Sequence, residues 1–177
     1  MKVDRTKLDG VLVLQPKIYK DERGFFLESF NKDKYVKAGI NFDFVQDNHS
    51  RSSKGVLRGL HFQVNKPQGK LVSCTSGKVL DVVVDINPDS ETFCEYISVE
   101  LSSENGKQLW VPPGYAHGFY VLSEIADFCY KCTSYYDPED DSGIIWNDPK
   151  IGIYWPTRNP ILSDKDKNNL LIKDMFK

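Results

Sequence analysis

Apolar residues along this chain fall in short runs broken by turn signals, not in the longer three-and-four spacing of amphipathic helices. Strand-like runs occupy 11–14, 24–30, 42–47, 56–63, 70–75, 78–86, 96–101, 108–111, 118–122 and 126–136. Between them stand Ser76-Gly77, Asn87-Pro88-Asp89, Glu104-Asn105-Gly106 and Pro112-Pro113-Gly114, residue types that end strands and build turns. Strands this frequent with so little helix between them predict an all-β, antiparallel sandwich or barrel. Helical patterns are confined to 32–38 and 163–175, short peripheral pieces. With no internal repeat, low-complexity stretch or linker, residues 1–177 read as one domain.

Alternation within the runs sorts the side chains. In 126–136, Phe128, Tyr130, Cys132, Ser134 and Tyr136 share one face, an aromatic stripe that suits a core. In 78–86, Asp81, Val83 and Asp85 share a face, which puts carboxylates into a valine-rich strand. In 56–63, plain alternation sends Arg58 and His61 to opposite faces, so a cavity using both requires a β-bulge at Gly59 or a ligand that wraps the strand edge.

Composition narrows the function classes. A chain of 177 residues with 40% hydrophobic content is long enough for one well-buried domain. The balance of 23 basic against 25 acidic residues leaves a net charge of −2, so no positive field attracts nucleic acid or anionic lipid. The first thirty residues contain no apolar segment of signal-peptide or membrane length, and the expectation is a cytoplasmic protein without membrane partners. Cys129-x2-Cys132 invites a disulfide or metal reading, but residues three apart on a strand diverge; Cys74, Cys94, Cys129 and Cys132 are expected to be reduced apolar fillers.

The chemistry starts at two histidines. Gly55-x5-His61 begins like the first half of a metal-binding cupin, which continues His-x-His and a carboxylate; this chain has Gln63 and Lys66 there. The second half, Gly106-x5-Pro112-x-Gly114-x2-His117, is intact as far as its histidine. Two isolated imidazoles do not make a metal site, which needs three or more converging ligands, so the expectation is no metal and proton chemistry instead.

Six separated motifs then spell a family: Asp21 to Phe30 (DERGFFLESF), Phe44 to Ser50 (FVQDNHS), Gly55 to Gln63 (GVLRGLHFQ), Pro112 to Phe119 (PPGYAHGF), Tyr130-Lys131-Cys132-Thr133, and Leu162 to Asp166 (LSDKD). Together they closely resemble the dTDP-4-dehydrorhamnose 3,5-epimerases. The resemblance implies a cupin-type jelly-roll barrel, a homodimer, no cofactor, and a dTDP-sugar substrate in dTDP-L-rhamnose synthesis. One departure is Asn87, where such proteins often carry Arg after the preceding strand.

Epimerising a carbon beside a ketone needs a base, a stabiliser for the enolate, and an acid on the opposite face. An imidazole, with a reference pKa of about 6.5, suits the base, and the resemblance assigns it to His61; its neighbours Leu60 and Phe62 are expected to shield it. The orienting carboxylate is Asp166 by resemblance, although Ser163-x-x-Asp166 also reads as a helix cap and Asp81 is a rival. Tyr130 is the acid, a phenol that stays protonated near neutrality, and Lys70 is the positive charge for the enolate. By the same resemblance Arg23 and Arg58 take the diphosphate, with Arg51 a weaker third. Glu28, Gln46 and Asn48 hydrogen-bond thymine and ribose, Phe25 or Tyr136 stacks on the base, and His117, Asp141 and Lys165 complete the substrate contacts. The expected activity is 3,5-epimerisation of dTDP-4-dehydro-6-deoxy-D-glucose. Alternatives are C3 epimerisation alone, 3,4-ketoisomerisation, a metal-dependent cupin oxygenase, and a non-catalytic sugar-nucleotide binding module.

Overall fold

A computed structural model describes residues 1–175. Thirteen strands are formed among them: β1 (Lys2–Arg5), β2 (Leu12–Gln15), β3 (Ile18–Asp21), β4 (Gly24–Leu27), β5 (Gln46–Ser53), β6 (Leu57–Gln63), β7 (Lys70–Ser76), β8 (Lys78–Asp85), β9 (Tyr96–Ser102), β10 (Gln108–Val111), β11 (Tyr115–Val121), β12 (Ile125–Cys132) and β13 (Asp141–Gly143). The helices are α1 (Lys32–Lys37), α2 (Asp164–Lys167) and α3 (Ile172–Met175). A six-stranded sheet runs β1-β2-β10-β7-β12-β5 and a five-stranded sheet runs β13-β6-β11-β8-β9, with β3-β4 a separate hairpin. The strand pairs are antiparallel, as in a jelly roll, but the strands stay in two sheets and do not join into one closed barrel.

The core lies in three layers. Between the sheets, Val72, Leu109 and Phe128 meet Val79, Val83, Phe119 and Val121. The outer face of the six-stranded sheet is covered at Leu12, Leu14, Leu71 and Trp110 by Tyr35 and Ile40. The outer face of the five-stranded sheet is covered at Leu57, Val82, Val84 and Ala116 by Ile144, Ile151, Trp155 and Ile172 from the C-terminal segment. β8 is therefore covered on both faces, which is why Val82, Val83 and Val84 run without alternating with polar residues.

Several expected boundaries move. The strand foreseen at 42–47 forms instead as β5, because Phe44 turns to pack on Phe30 and Trp110 outside the ladder. The run foreseen to 136 ends at Cys132. β1, β3 and β13 are added; each is three or four residues long, too short for a periodic signal. The helix foreseen over 163–175 breaks into α2 and α3, since Leu170 leaves the helix to bridge Ile144 and its carbonyl accepts from the Ile145 amide.

Of the two ways to bring Arg58 and His61 to one cavity, the bulge at Gly59 is present. β6 and β11 pair His61 with His117 and Arg58 with Phe119, so Gly59 and Leu60 together oppose Gly118 alone. The Gly59–Leu60 peptide is cis, and Gly59 has φ of +137°. A Cβ on Gly59 would stand 2.6 Å from the Gly118 Cα, and one on Gly118 would stand 2.7 Å from the Arg58 carbonyl oxygen. Gly59→Ala should therefore cost about 3 kcal/mol or more in denaturant unfolding, combining strained backbone with a backbone clash. A loss under about 1 kcal/mol would show that the ladder can re-register.

Candidate functional site

The bulge turns Arg58 and His61 toward one cavity of about 420 Å³ between the sheets. The five-stranded sheet contributes Arg58, His61, His117 and Asp141; the six-stranded sheet contributes Ser50, Lys70, Phe128 and Tyr130; the C-terminal segment contributes Ile161 to Ser163, Lys165 and Asp166. That segment is tied beside β6: the Ile161 amide donates to the Gly55 carbonyl at 2.8 Å and the Leu57 amide to the Ile161 carbonyl at 3.0 Å. The tether carries Asp166 across 105 residues of sequence to His61.

His61 Nε2 lies 2.5 Å from Asp166 Oδ1. The other Asp166 oxygen accepts from the Ser163 hydroxyl at 2.8 Å, while the Asp166 amide donates to that hydroxyl oxygen at 3.1 Å. The helix-cap and dyad readings of Ser163-x-x-Asp166 are thus compatible: Ser163 is the N-cap of α2, and the carboxylate it braces holds the imidazole. Burial pushes the Asp166 carboxyl up, but His61, Ser163 and Lys165 together hold it below the usual carboxylate range. Asp81 is engaged elsewhere, with its two oxygens 2.9 and 3.0 Å from His117 Nε2. Leu60 and Phe62 do not shield His61; both pack into the outer layer, and the His61 side chain keeps 31% of its surface exposed.

Across the cavity stand Tyr130 and Lys70, on adjacent strands β12 and β7. Neither side chain's polar group hydrogen-bonds another described residue. Burial pushes the Tyr130 phenol above its ordinary value, reinforced by Cys132 and Asp141 and opposed by Arg58. Burial also pulls the Lys70 ammonium below the ordinary lysine value, against the pull of Cys132, Asp141 and Asp81. The aromatic stripe of β12 packs into the core, with Phe128 stacked on Phe119 at 4.2 Å, and it meets the cavity at Phe128 and Tyr130.

The remaining predicted residues divide. Arg58 donates Nε–H to Ser52 Oγ at 3.1 Å, which ties its guanidinium to β5. Asp141 pairs with Lys165 and accepts from the Tyr136 hydroxyl at 2.8 Å, forming a polar rim. Gln46 and Asn48 bond each other at 3.1 Å, and Asn48 lines a neighbouring groove with Tyr130. Arg23, Phe25 and Glu28 are not brought to the cavity: Arg23 pairs with Asp21 on the exposed β3-β4 hairpin, Phe25 faces solvent, and Glu28 pairs with Lys34. Arg51 is also elsewhere, forked onto Asp127 at 2.8 Å beside His49. Asn87 shapes a turn, its amide donating to Asp85 and its side chain accepting from the Asp89 amide. No group of three or more His, Cys, Asp or Glu residues among the described residues could hold a metal ion.

The family model for dTDP-4-dehydrorhamnose 3,5-epimerase matches residues 5–174. The chain belongs to that family. It is 53% identical to the dTDP-4-dehydrorhamnose 3,5-epimerase of Escherichia coli (strain K12), over all of this chain and 97% of the relative. Against the enzyme of that name from Methanothermobacter thermautotrophicus it is 50% identical over 93% of this chain and 90% of the relative. Among solved structures, dTDP-6-deoxy-D-glucose-3,5-epimerase from Legionella pneumophila Philadelphia 1, in complex with dTDP-4-keto-L-rhamnose, superimposes with a TM-score of 0.94 at 52% identity, covering 97% of this chain and 93% of that one. As a member of the 3,5-epimerase family the chain is an isomerase with the cupin-like fold.

Sequence reasoning missed the pairing of Asp81 with His117, although an aspartate among valines was a signal that something polar waited inside. It also missed Ser52 as the brace of Arg58. The expected result for Asp166→Asn is a rate about 10²-fold lower, the cost of a misplaced catalytic group, with the neutral-pH melting temperature lowered only by the share of stability that the ionised carboxylate supplies. Because folding depresses the Asp166 pKa, its contribution to stability is present above the ordinary aspartate value and lost as pH falls through the folded value. The variant should lack that part of the acid destabilisation. A drop in melting temperature with full activity would leave Asp166 as a cap alone.

Proposed function

We propose that the chain catalyses 3,5-epimerisation of dTDP-4-dehydro-6-deoxy-D-glucose, without a cofactor, in dTDP-L-rhamnose synthesis. The observation that carries this reading is the placement of a carboxylate-backed imidazole on one sheet opposite a neutral phenol and an ammonium on the other, with one cavity between them. His61, held by Asp166, takes the proton from a carbon beside the 4-keto group. The electron pair passes to the ketone oxygen, where Lys70 stabilises the enolate. Tyr130 returns a proton from the opposite face, and the carbon is inverted. A fixed donor at developing charge contributes roughly 3–4 kcal/mol, so Lys70 accounts for two to three decades of rate. Arg58 takes the diphosphate, with its guanidinium held by Ser52.

The same reading makes the protein a homodimer acting in the cytoplasm as one epimerase domain per chain. Among the described residues no helix is long and apolar enough to cross a membrane. The β3-β4 hairpin supports a dimer: it exposes Tyr19, Phe25 and Phe26, and it carries Arg23, Phe25 and Glu28 away from this chain's own cavity. A second copy's cavity is where they serve. Mixing inactive His61→Asn subunits with inactive Arg23→Ala subunits should restore part of the activity through mixed dimers; no recovery after subunit exchange would place the hairpin outside the partner's site.

The function itself is tested by incubating the protein with the 4-keto sugar nucleotide in deuterated water and following C3 and C5 by NMR. Deuterium at both carbons with inverted product supports the reading. Exchange and inversion at C3 alone make it a 3-epimerase, and ligand binding without exchange makes it a binding module.

A further inference from the structure

Asp81 is fully buried on the inner face of β8, between Val79 and Val83. A carboxylate there is costly, since an apolar side chain of similar size would pack without desolvation. Among the described residues its carboxylate bonds His117 Nε2, at 2.9 and 3.0 Å. Burial pushes the Asp81 carboxyl up, and His117 and Lys70 oppose that push. His117 in turn lines the cavity, lies directly opposite His61 across the β6-β11 ladder, and has its ring stacked at 21° to that of Phe128.

With Asp81 ionised its oxygens only accept, so His117 Nε2 donates. In the neutral ring the proton is thereby committed to Nε2, and Nδ1, which bonds no other described residue, keeps a lone pair. We propose that Asp81 is a positioning residue that locks His117 in the Nε2-protonated tautomer, so that Nδ1 accepts a hydrogen bond from a hydroxyl of the bound sugar. This rests on the epimerase reading, and it gives the buried aspartate a role distinct from the His61–Asp166 pair. His117 then selects for a hydroxyl group near the reacting carbons, because a substrate without one leaves the ring nitrogen unpaired.

The test is ¹⁵N NMR of the His117 ring in wild-type protein and in Asp81→Asn, whose amide can donate to Nε2 and drive the proton to Nδ1. Alongside it, kcat and KM for the 4-keto sugar nucleotide and the affinity for dTDP alone are measured, with His117→Gln as the variant that leaves Asp81 untouched. The expected result is an Nε2-protonated wild-type ring, an Nδ1-protonated ring in Asp81→Asn, and KM raised about tenfold in both variants with dTDP affinity unchanged. An Nδ1-protonated wild-type ring overturns the inference, as does a tautomer switch that leaves KM and kcat at wild-type values. Wild-type protein that neither binds nor converts the sugar nucleotide overturns the functional reading with it, whereas the former two results overturn this inference alone.

Discussion

His61→Asn should abolish turnover, by roughly 10⁴-fold, while leaving the fold and dTDP affinity nearly intact. An asparagine fills much of the imidazole's volume, and its amide can still bond Asp166, so the tether of the C-terminal segment to β6 survives. What it lacks is a lone pair basic enough to take a proton from carbon. A loss of that size is about 5 kcal/mol of transition-state stabilisation. It should appear in kcat without a matching rise in KM, because the missing interaction exists only as the proton moves. Circular dichroism and dTDP binding check that the fold and the nucleotide half are sound. Retention of more than about a tenth of the wild-type rate would contradict a role of this kind and direct attention to another base.

Tyr130→Phe should separate two events that the wild-type enzyme couples. His61 and Tyr130 stand on opposite sheets, and a substrate between them presents one face to each. With the phenol gone, His61 can still take a proton and return one from solvent to the same face, so deuterium should enter beside the ketone while inversion falls by roughly 10²–10⁴-fold. Exchange therefore outlasts epimerisation. The ring remains to pack against the core that Phe128 anchors, which keeps the loss of stability small. NMR in deuterated water reads both quantities in one sample. Wild-type product ratios from the variant would remove Tyr130 as the acid.

The sequence by itself determined what short-range physics can carry. Alternation and turn residues were enough for antiparallel β architecture, for the inward stripe from Phe128 to Cys132, and for a bulge at Gly59 as one of two ways to bring Arg58 and His61, which differ in parity along one strand, to one cavity. Six ordered motifs were enough for the family. Asn31, which caps α1, and Ser163, which caps α2, obey local rules that a reader of the chain can apply. The tertiary structure decided what depends on long loops closing. Asp166 or Asp81 could each have held His61 on local grounds; the choice is made by the bridge of Ile161 to the strand end at Val56, which brings the C-terminal segment beside β6, and by the β8-β11 ladder, which gives Asp81 to His117 instead. The break between α2 and α3 follows likewise from Leu170 pairing with Ile144. Whether Arg23 lies near Arg58 is equally invisible to local pattern, and within one chain it does not. Side-chain direction along a strand repeats every two residues and is written in the sequence, whereas partners across 36 or 105 residues are chosen by packing of the whole chain.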